Sequence, residues 1–380
     1  MEFEATEGYL LLADISGYTA FLTSTELEHS HAIIRELTSI VRQELVPPLR
    51  FVKLEGDAVL CYAAGAVLHG GERFIEVIEA CYFAFSNRLE DIARASTCRC
   101  RACQATGSLD LKFLAHYGTF IVDREDGRDD LAGPDVILVH RLLKNTISDS
   151  GYALFTDACA RRLPPDFNLR PHSESYESLG IIAGGVSDLG PRLAEMREAR
   201  SLRLTAEDAD FEIVAELPTT PALAWQYLVD PVQLQRWVCV ANSPEPDVIT
   251  PNQQGRMGAG ATSHCNHGPA GTWFREFLAW SPFTFFTCRT LAPGSGQADA
   301  RTTLDTYELE SVENGTRLTH RLYLVDRTPE AVDAFRRLTP LLEAGAQHAH
   351  GELRRVIEED AMGRPERPLS LGLDVPTPDR

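Results

Sequence analysis

The sequence predicts an α+β chain of two domains, each built on a sheet, and three observations carry that expectation. Residues 8–190 alternate apolar patterns in the order strand, helix, two strands, helix, further strands. Residues 245–325 read as a run of short, glycine-punctuated strands, followed at about 328–360 by one long amphipathic helical pattern. Between these two regions the stretch PRLAEMREARSLRLTAEDAD is charged and only partly periodic. The expected organisation is therefore a first domain over residues 1–192, a linker over 193–209, a second domain over 210–361 and a tail over 362–380. The tail holds four prolines and little apolar content, which predicts disorder.

Residues 9–15 form an apolar strand bounded by Gly17. Residues 19–46 place Phe21, Leu22, Leu27, Ile33, Ile34, Leu37, Ile40, Val41 and Leu45 at helical spacing, and Pro47-Pro48 stops that helix. Strands at 50–55 and 58–63 flank the turn dipeptide Gly56-Asp57. A second helix spans roughly 71–95, Leu109–Val122 is strand-like, and Val136–Asn145 is helical again. This order suggests a sandwich with helices on one sheet face. In the second domain a strand opens at Phe211, with short helical pieces near Pro221–Leu228 and Val232–Val238. Ala331, Val332, Phe335, Leu338, Leu341, Leu342, Leu353 and Ile357 mark the apolar side of the final helix.

Composition excludes several functions. The net charge is −19, from 55 acidic and 36 basic residues, which argues against nucleic acid and anionic membrane as partners. The start, MEFEATEG, lacks the basic and apolar regions of a signal peptide, and no stretch approaches the ~20 apolar residues of a membrane span. Nine cysteines without an export signal predict reduced thiols and a cytoplasmic location.

The chemistry concentrates in Ala13-Asp14-Ile15-Ser16-Gly17-Tyr18-Thr19 and Lys53-Leu54-Glu55-Gly56-Asp57. Each is an apolar strand interrupted by a carboxylate and a glycine. Two aspartates on adjacent strands make a site for a hard divalent cation, which commonly brings a phosphate. A third motif is Asp130-Leu131-Ala132-Gly133-Pro134-Asp135-Val136-Ile137-Leu138-Val139-His140-Arg141. In this order and spacing the three motifs resemble the catalytic domain of class III nucleotidyl cyclases over roughly residues 8–190.

The resemblance implies an α/β sandwich with a ferredoxin-like core. It implies Mg²⁺ or Mn²⁺ on Asp14 and Asp57, helped by the Ile15 carbonyl, with Ser16, Gly17, Tyr18 and Thr19 forming the phosphate-side turn. It gives Lys53 and Asp130 the reading of adenine, and hence ATP over other purine nucleotides, and gives Arg141 the stabilisation of charge on the phosphate. It also implies a head-to-tail homodimer, in which Asp14 and Asp57 of one chain face Lys53, Asp130 and Arg141 of the other. Two departures stand out. Ile137 occupies the place of an asparagine that orients the ribose, and the stretch Leu179–Val186 has no lysine for the triphosphate. Two functions stay open on this reading: conversion of ATP to cyclic AMP and pyrophosphate, or nucleotide sensing without catalysis.

Cys98, Cys100 and Cys103 are spaced to reach one ion, and thiolates favour a structural Zn²⁺ whose fourth ligand the sequence leaves open. A loop with incidental thiols and a redox switch are the alternatives. The chain resembles most closely a little-characterised bacterial subgroup of cyclase-like domains that carries such a cluster. Residues 210–361 resemble the START-like (SRPBCC) helix-grip domains, through the opening strand, two small helices, curved sheet, long terminal helix and the segments PVQLQRW and WSPFTFF. That resemblance implies a small hydrophobic ligand, with Trp273, Phe277, Trp280 and His264 as cavity residues. In SHCNHG, strand alternation sets His264 and Asn266 on one face and Cys265 and His267 on the other, which disfavours a metal there.

Overall fold

The computed structural model describes residues 5–65, 67–68, 71–95, 100–125, 128–237, 248–252, 255–266, 272–292 and 301–362. The expected tail lies, beyond Met362, outside them. The first unit is an 8-stranded sheet in the order β2-β3-β1-β4-β6-β8-β7, with β5 paired to β4. Its strands are β1 (Ala5–Ser16), β2 (Arg50–Glu55), β3 (Ala58–Ala64), β4 (Asp110–Glu125), β5 (Arg128–Ala132), β6 (Tyr152–Thr156), β7 (Arg170–Tyr176) and β8 (Gly180–Asp188). The helices are α1 (Tyr18–Ser24), α2 (Leu27–Leu45), α3 (Gly71–Ala95), α4 (Arg101–Gln104), α5 (Pro134–Arg141), α6 (Asp157–Ala160) and α7 (Gly190–Ala199).

The single helix expected over 19–46 is two, broken at Thr25 and Glu26. The hydroxyls of Thr23, Ser24 and Thr25 bond back to carbonyls of the preceding turn, which competes with continuing the helix. Helices lie on both sheet faces rather than one. Tyr9, Leu11, Ala13 and Ile15 share a core with α2 and α3. Leu10 and Leu12 pack on the other face with Val136 and Val139 of α5. A strand covered on both faces needs a continuous apolar run, which is what residues 9–13 supply. Asp14 follows on the α5 face by alternation, where the cover ends.

The second unit is a 7-stranded antiparallel sheet in the order β10-β11-β12-β13-β14-β15-β9. Its elements are β9 (Phe211–Leu217), α8 (Pro221–Val229), α9 (Pro231–Trp237), β10 (Val248–Thr250), β11 (Thr262–Asn266), β12 (Thr272–Ser281), β13 (Phe285–Ala292), β14 (Arg301–Val312), β15 (Gly315–Leu324) and α10 (Pro329–Ala361). Helix α10 lies across this sheet. Phe335 packs with Phe211, Leu322 and Leu324, and Leu353, Val356 and Ile357 join the aromatic core.

The four residues expected to line one cavity do not assemble as one. Phe277 and Trp280 are packed core, with ring centroids 5.4 Å apart, and Trp280 meets Trp225 at 5.0 Å. Trp273 lies on the Phe277 face by alternation. His264 pairs with Phe274 and belongs to the opposite, outer face, its ring 5.7 Å from Phe274. His267 lies outside the described residues. Residues 193–209, expected as a linker, are packed instead: Met196 and Ala199 are buried, and the Leu204 N–H donates to Thr306 Oγ1 at 3.2 Å. No described helix is long and apolar enough to cross a membrane.

The two units meet through buried charge on α3. Glu72, Glu76 and Glu79 recur along one stripe of that helix. Arg256 donates from Nη1 and Nη2 to the Glu79 carboxylate at 2.7 and 3.1 Å and from Nε to Glu72 at 2.9 Å. Arg192 lies 3.2 Å from Glu79. Glu76 accepts from Arg73, from Trp280 Nε1 at 2.8 Å and from Trp225 Nε1 at 3.3 Å. Burial pushes the Glu76 carboxyl up to about 7, while Arg256 and Arg192 hold Glu79 below the usual range against the same burial.

Two outcomes follow. Arg256→Ala leaves Glu79 buried with half its compensation lost and lowers stability by about 3 kcal/mol or more in denaturant unfolding. His350 on α10 is pushed down from 6.5 to about 4 by burial and by neighbouring His320, which itself faces Asp305. Its folded-state value is depressed, so its contribution is complete above pH 6.5 and is lost as pH falls toward 4. Denaturant unfolding across that window should lose up to about 3 kcal/mol, and His350→Leu should flatten the slope.

Candidate functional site

Asp14 ends the apolar run of β1, and Asp57 sits in the tight turn joining β2 to β3, the strand beside β1. Antiparallel pairing of Ala13 with Val59 brings both aspartates to one end of the sheet. The Asp57 carboxylate accepts from the Ile15 backbone N–H. Burial first, then the Asp14 charge, push the Asp57 carboxyl up to about 6, and Lys112 opposes the shift. Lys112 is the residue the sequence reading missed. It pairs with Asp14 across β1 and β4, and its Nζ lies 3.1 Å from Asp14 Oδ2. Two carboxylates and one ammonium leave a net negative charge, which suits a divalent cation bound by oxygen.

The expected phosphate-side turn follows directly. Gly17 has φ 85°, a left-handed conformation that opens α1, and a Cβ there would meet Ser108 O at 2.7 Å. Ser16 Oγ donates to Ser150 O at 2.9 Å, Ile15 is buried, Tyr18 packs against the core and Thr19 is exposed.

Lys53 and Asp130 come together within this one chain, Nζ to Oδ1 at 3.8 Å, and Lys53 also lies 3.2 Å from Glu55. His140 Nδ1 is 3.0 Å from Glu55 Oε2. Neighbouring Asp129 is held by Tyr62 at 2.7 Å and Arg124 at 3.2 Å, whereas the Asp130 side chain is 73% exposed. Arg141 is exposed in the last turn of α5, and Ile137 on the same helix is 55% exposed.

Of the cysteine cluster, Cys98 lies outside the described residues. Cys100 caps α4 and Cys103 lies within it, and the side chain they meet, His29 of α2, was not among the expected ligands. Its signal in the sequence is only a histidine on a polar helix face, 71 residues away.

Residues 33–152 match a family model described as a protein of unknown function (DUF2652). The chain is 34% identical over 148 residues to the uncharacterized protein Rv2561/Rv2562 of Mycobacterium tuberculosis, a match that covers 37% of this chain and spans 66% of that relative's length. Similar solved structures include the adenylyl cyclase CyaB from P. aeruginosa, at 17% identity and TM-score 0.38 over 50% of this chain and 97% of that one. The guanylyl cyclase Cya2 is similar at 13% identity and TM-score 0.38, over 50% of this chain and 96% of that one.

The electrostatics of the aspartate pair can be read without metal by carboxyl ¹³C NMR titration. Lys112→Met should raise the Asp57 midpoint above that of the wild type, because a neighbouring cation is lost. Asp14→Asn should lower it toward the ordinary carboxylate range.

Proposed function

We propose that this chain is a metal-dependent nucleotide-binding protein of the cyclase type, which converts ATP to cyclic AMP and pyrophosphate. The observation that carries the reading is the convergence of Asp14 and Asp57 at one sheet end beside the Gly17 turn. Their carboxylates fit Mg²⁺ or Mn²⁺, which when bound neutralises phosphate charge and lowers the pKa of the ribose 3′-hydroxyl. Lys53 supplies a donor and Asp130 an acceptor, the pair that adenine needs and guanine leaves badly matched. Arg141 is exposed and carries the charge that a leaving pyrophosphate requires. In the reaction the 3′-oxygen bonds to the α-phosphorus, the bond to the β-phosphate bridging oxygen breaks, and the 3′-proton passes to solvent.

Leu54, beside Lys53, and Ile137, on the helix that carries Arg141, are about half exposed. Apolar surface next to polar site residues supports a homodimer whose second copy covers it. The helix-on-sheet layout of residues 210–361 supports a START-like domain that holds a small hydrophobic ligand. Among the described residues, Ser263 Oγ and His350 Nδ1 are buried without a hydrogen-bond partner, and a polar group on such a ligand would satisfy them.

Two observations favour a second reading, a nucleotide sensor without catalysis. The Lys112 ammonium beside Asp14 competes with a divalent cation for the same carboxylate, and Ile137 cannot hydrogen-bond a ribose. Purified protein incubated with ATP or GTP and Mn²⁺ separates the two. Cyclisation predicts cyclic AMP from ATP, at least about a hundredfold loss in Asp14→Ala, and about a tenfold gain in Ile137→Asn. ATP bound with no cyclic product from wild type or Ile137→Asn selects the sensor.

A further inference from the structure

We infer that His29, Cys100 and Cys103 form a zinc centre that ties helix α2 to the segment leading into β4. The inference is independent of the nucleotide reading. His29 Nδ1 lies 3.2 Å from Cys100 Sγ and 3.9 Å from Cys103 Sγ, and all three ligand atoms fall within 4.8 Å of one another. A tetrahedral zinc with bonds of about 2.3 Å to sulfur and about 2.05 Å to nitrogen puts its ligands about 3.6–3.8 Å apart along each edge. The two nitrogen-to-sulfur separations bracket that edge, and the 4.8 Å limit on the whole set leaves all three ligand atoms within reach of one ion. Hard cations are a poor match for two sulfurs and an imidazole, and zinc is the borderline-soft ion that suits them.

The local backbone is built for this. Cys100 caps the short helix α4, and the Cys103 N–H donates to Cys100 Sγ at 3.4 Å. A sulfur that accepts a backbone N–H is favoured as thiolate, the form that ligates. The spacing Cys100-Arg101-Ala102-Cys103 puts both sulfurs on one side of the turn. The two segments are aligned by a further contact at the same place, where the Ala102 N–H donates to Glu26 Oε2 at 3.1 Å and Arg101 lies 3.5 Å from Glu26. That contact fixes the start of α2 one turn before His29, so the imidazole arrives at the thiols without rearrangement of either segment.

The consequence is structural. Segment 100–108 ends at Ser108, whose carbonyl packs under Gly17, and continues into β4. A metal bond across α2 and α4 links residues that are 71 apart in sequence and removes the freedom of both segments.

The test is metal analysis by mass spectrometry on full-length protein purified without chelator, with Co²⁺ substitution as a second readout. Wild type should carry about one zinc per chain, and the Co²⁺ form should show sulfur-to-metal charge transfer and intense tetrahedral d–d bands. His29→Ala and Cys103→Ser should purify without bound zinc, while Cys159→Ala, a buried thiol elsewhere, should keep about one zinc per chain. His29→Cys, which keeps a ligating side chain, should retain the metal. This variant separates loss of a ligand from loss of the fold. Chelation of the wild type should lower Tm by about 5 °C or more and should not change Tm in His29→Ala. Wild type free of zinc, iron in its place, or a His29→Ala protein with unchanged zinc content and Co²⁺ spectrum overturns the assignment. Zinc retained by a protein that binds no nucleotide would leave this centre standing and remove the proposed function.

Discussion

The two halves of this protein are joined by a cluster of buried charge on helix α3, and much of the architecture depends on it. Three carboxylates, Glu72, Glu76 and Glu79, face three guanidinium groups, Arg73, Arg192 and Arg256, and two indole N–H groups. With all three carboxylates ionised the charges balance, and burial that raises Glu76 to about 7 makes it the first of them to take up a proton. That balance is what makes the burial tolerable, because an unpaired ion in such a place costs several kcal/mol. The second unit contributes Arg256, Trp225 and Trp280, so its aromatic core and its contact with the first unit are one structure. Trp280 seats its N–H on Glu76 while its ring packs against Trp225 and Phe277 in the core of the second unit.

At the opposite end of the same domain the charge is left unbalanced. Asp14 and Asp57 crowd together, and Lys112 offsets only part of their repulsion. Uncompensated negative charge attracts cations, whereas compensated charge at a domain contact is structural. The molecule uses both arrangements, and the sign balance distinguishes them more clearly than burial alone.

Much of this was legible in the sequence. The apolar runs, the turn at Gly56-Asp57, the stop at Pro47-Pro48 and the long terminal helix are local patterns, and local patterns report secondary structure directly. The motifs around Asp14 and Asp57 were visible because each combines a strand, a carboxylate and a glycine within a few residues. The break between α1 and α2 was not visible, because the apolar period continues across Thr25 and only the hydroxyl-to-carbonyl bonds interrupt it.

What the sequence by itself determined is therefore many of the elements, their order, and the places of Asp14 at the end of an apolar strand and Asp57 in a hairpin turn. Tertiary structure alone decided which distant residues meet. Lys112 reaches Asp14 through strand register, and His29 reaches Cys100 through the packing of α2 against α4. The acidic stripe Glu72, Glu76, Glu79 follows helical periodicity and reads as a solvent face, yet it is buried because the second unit brings Arg256 to it. The reason is common to all three. Spacing along the chain encodes what a residue's own helix or strand presents, and the partner that neutralises a charge or completes a ligand set comes from another segment, whose position only the folded chain fixes.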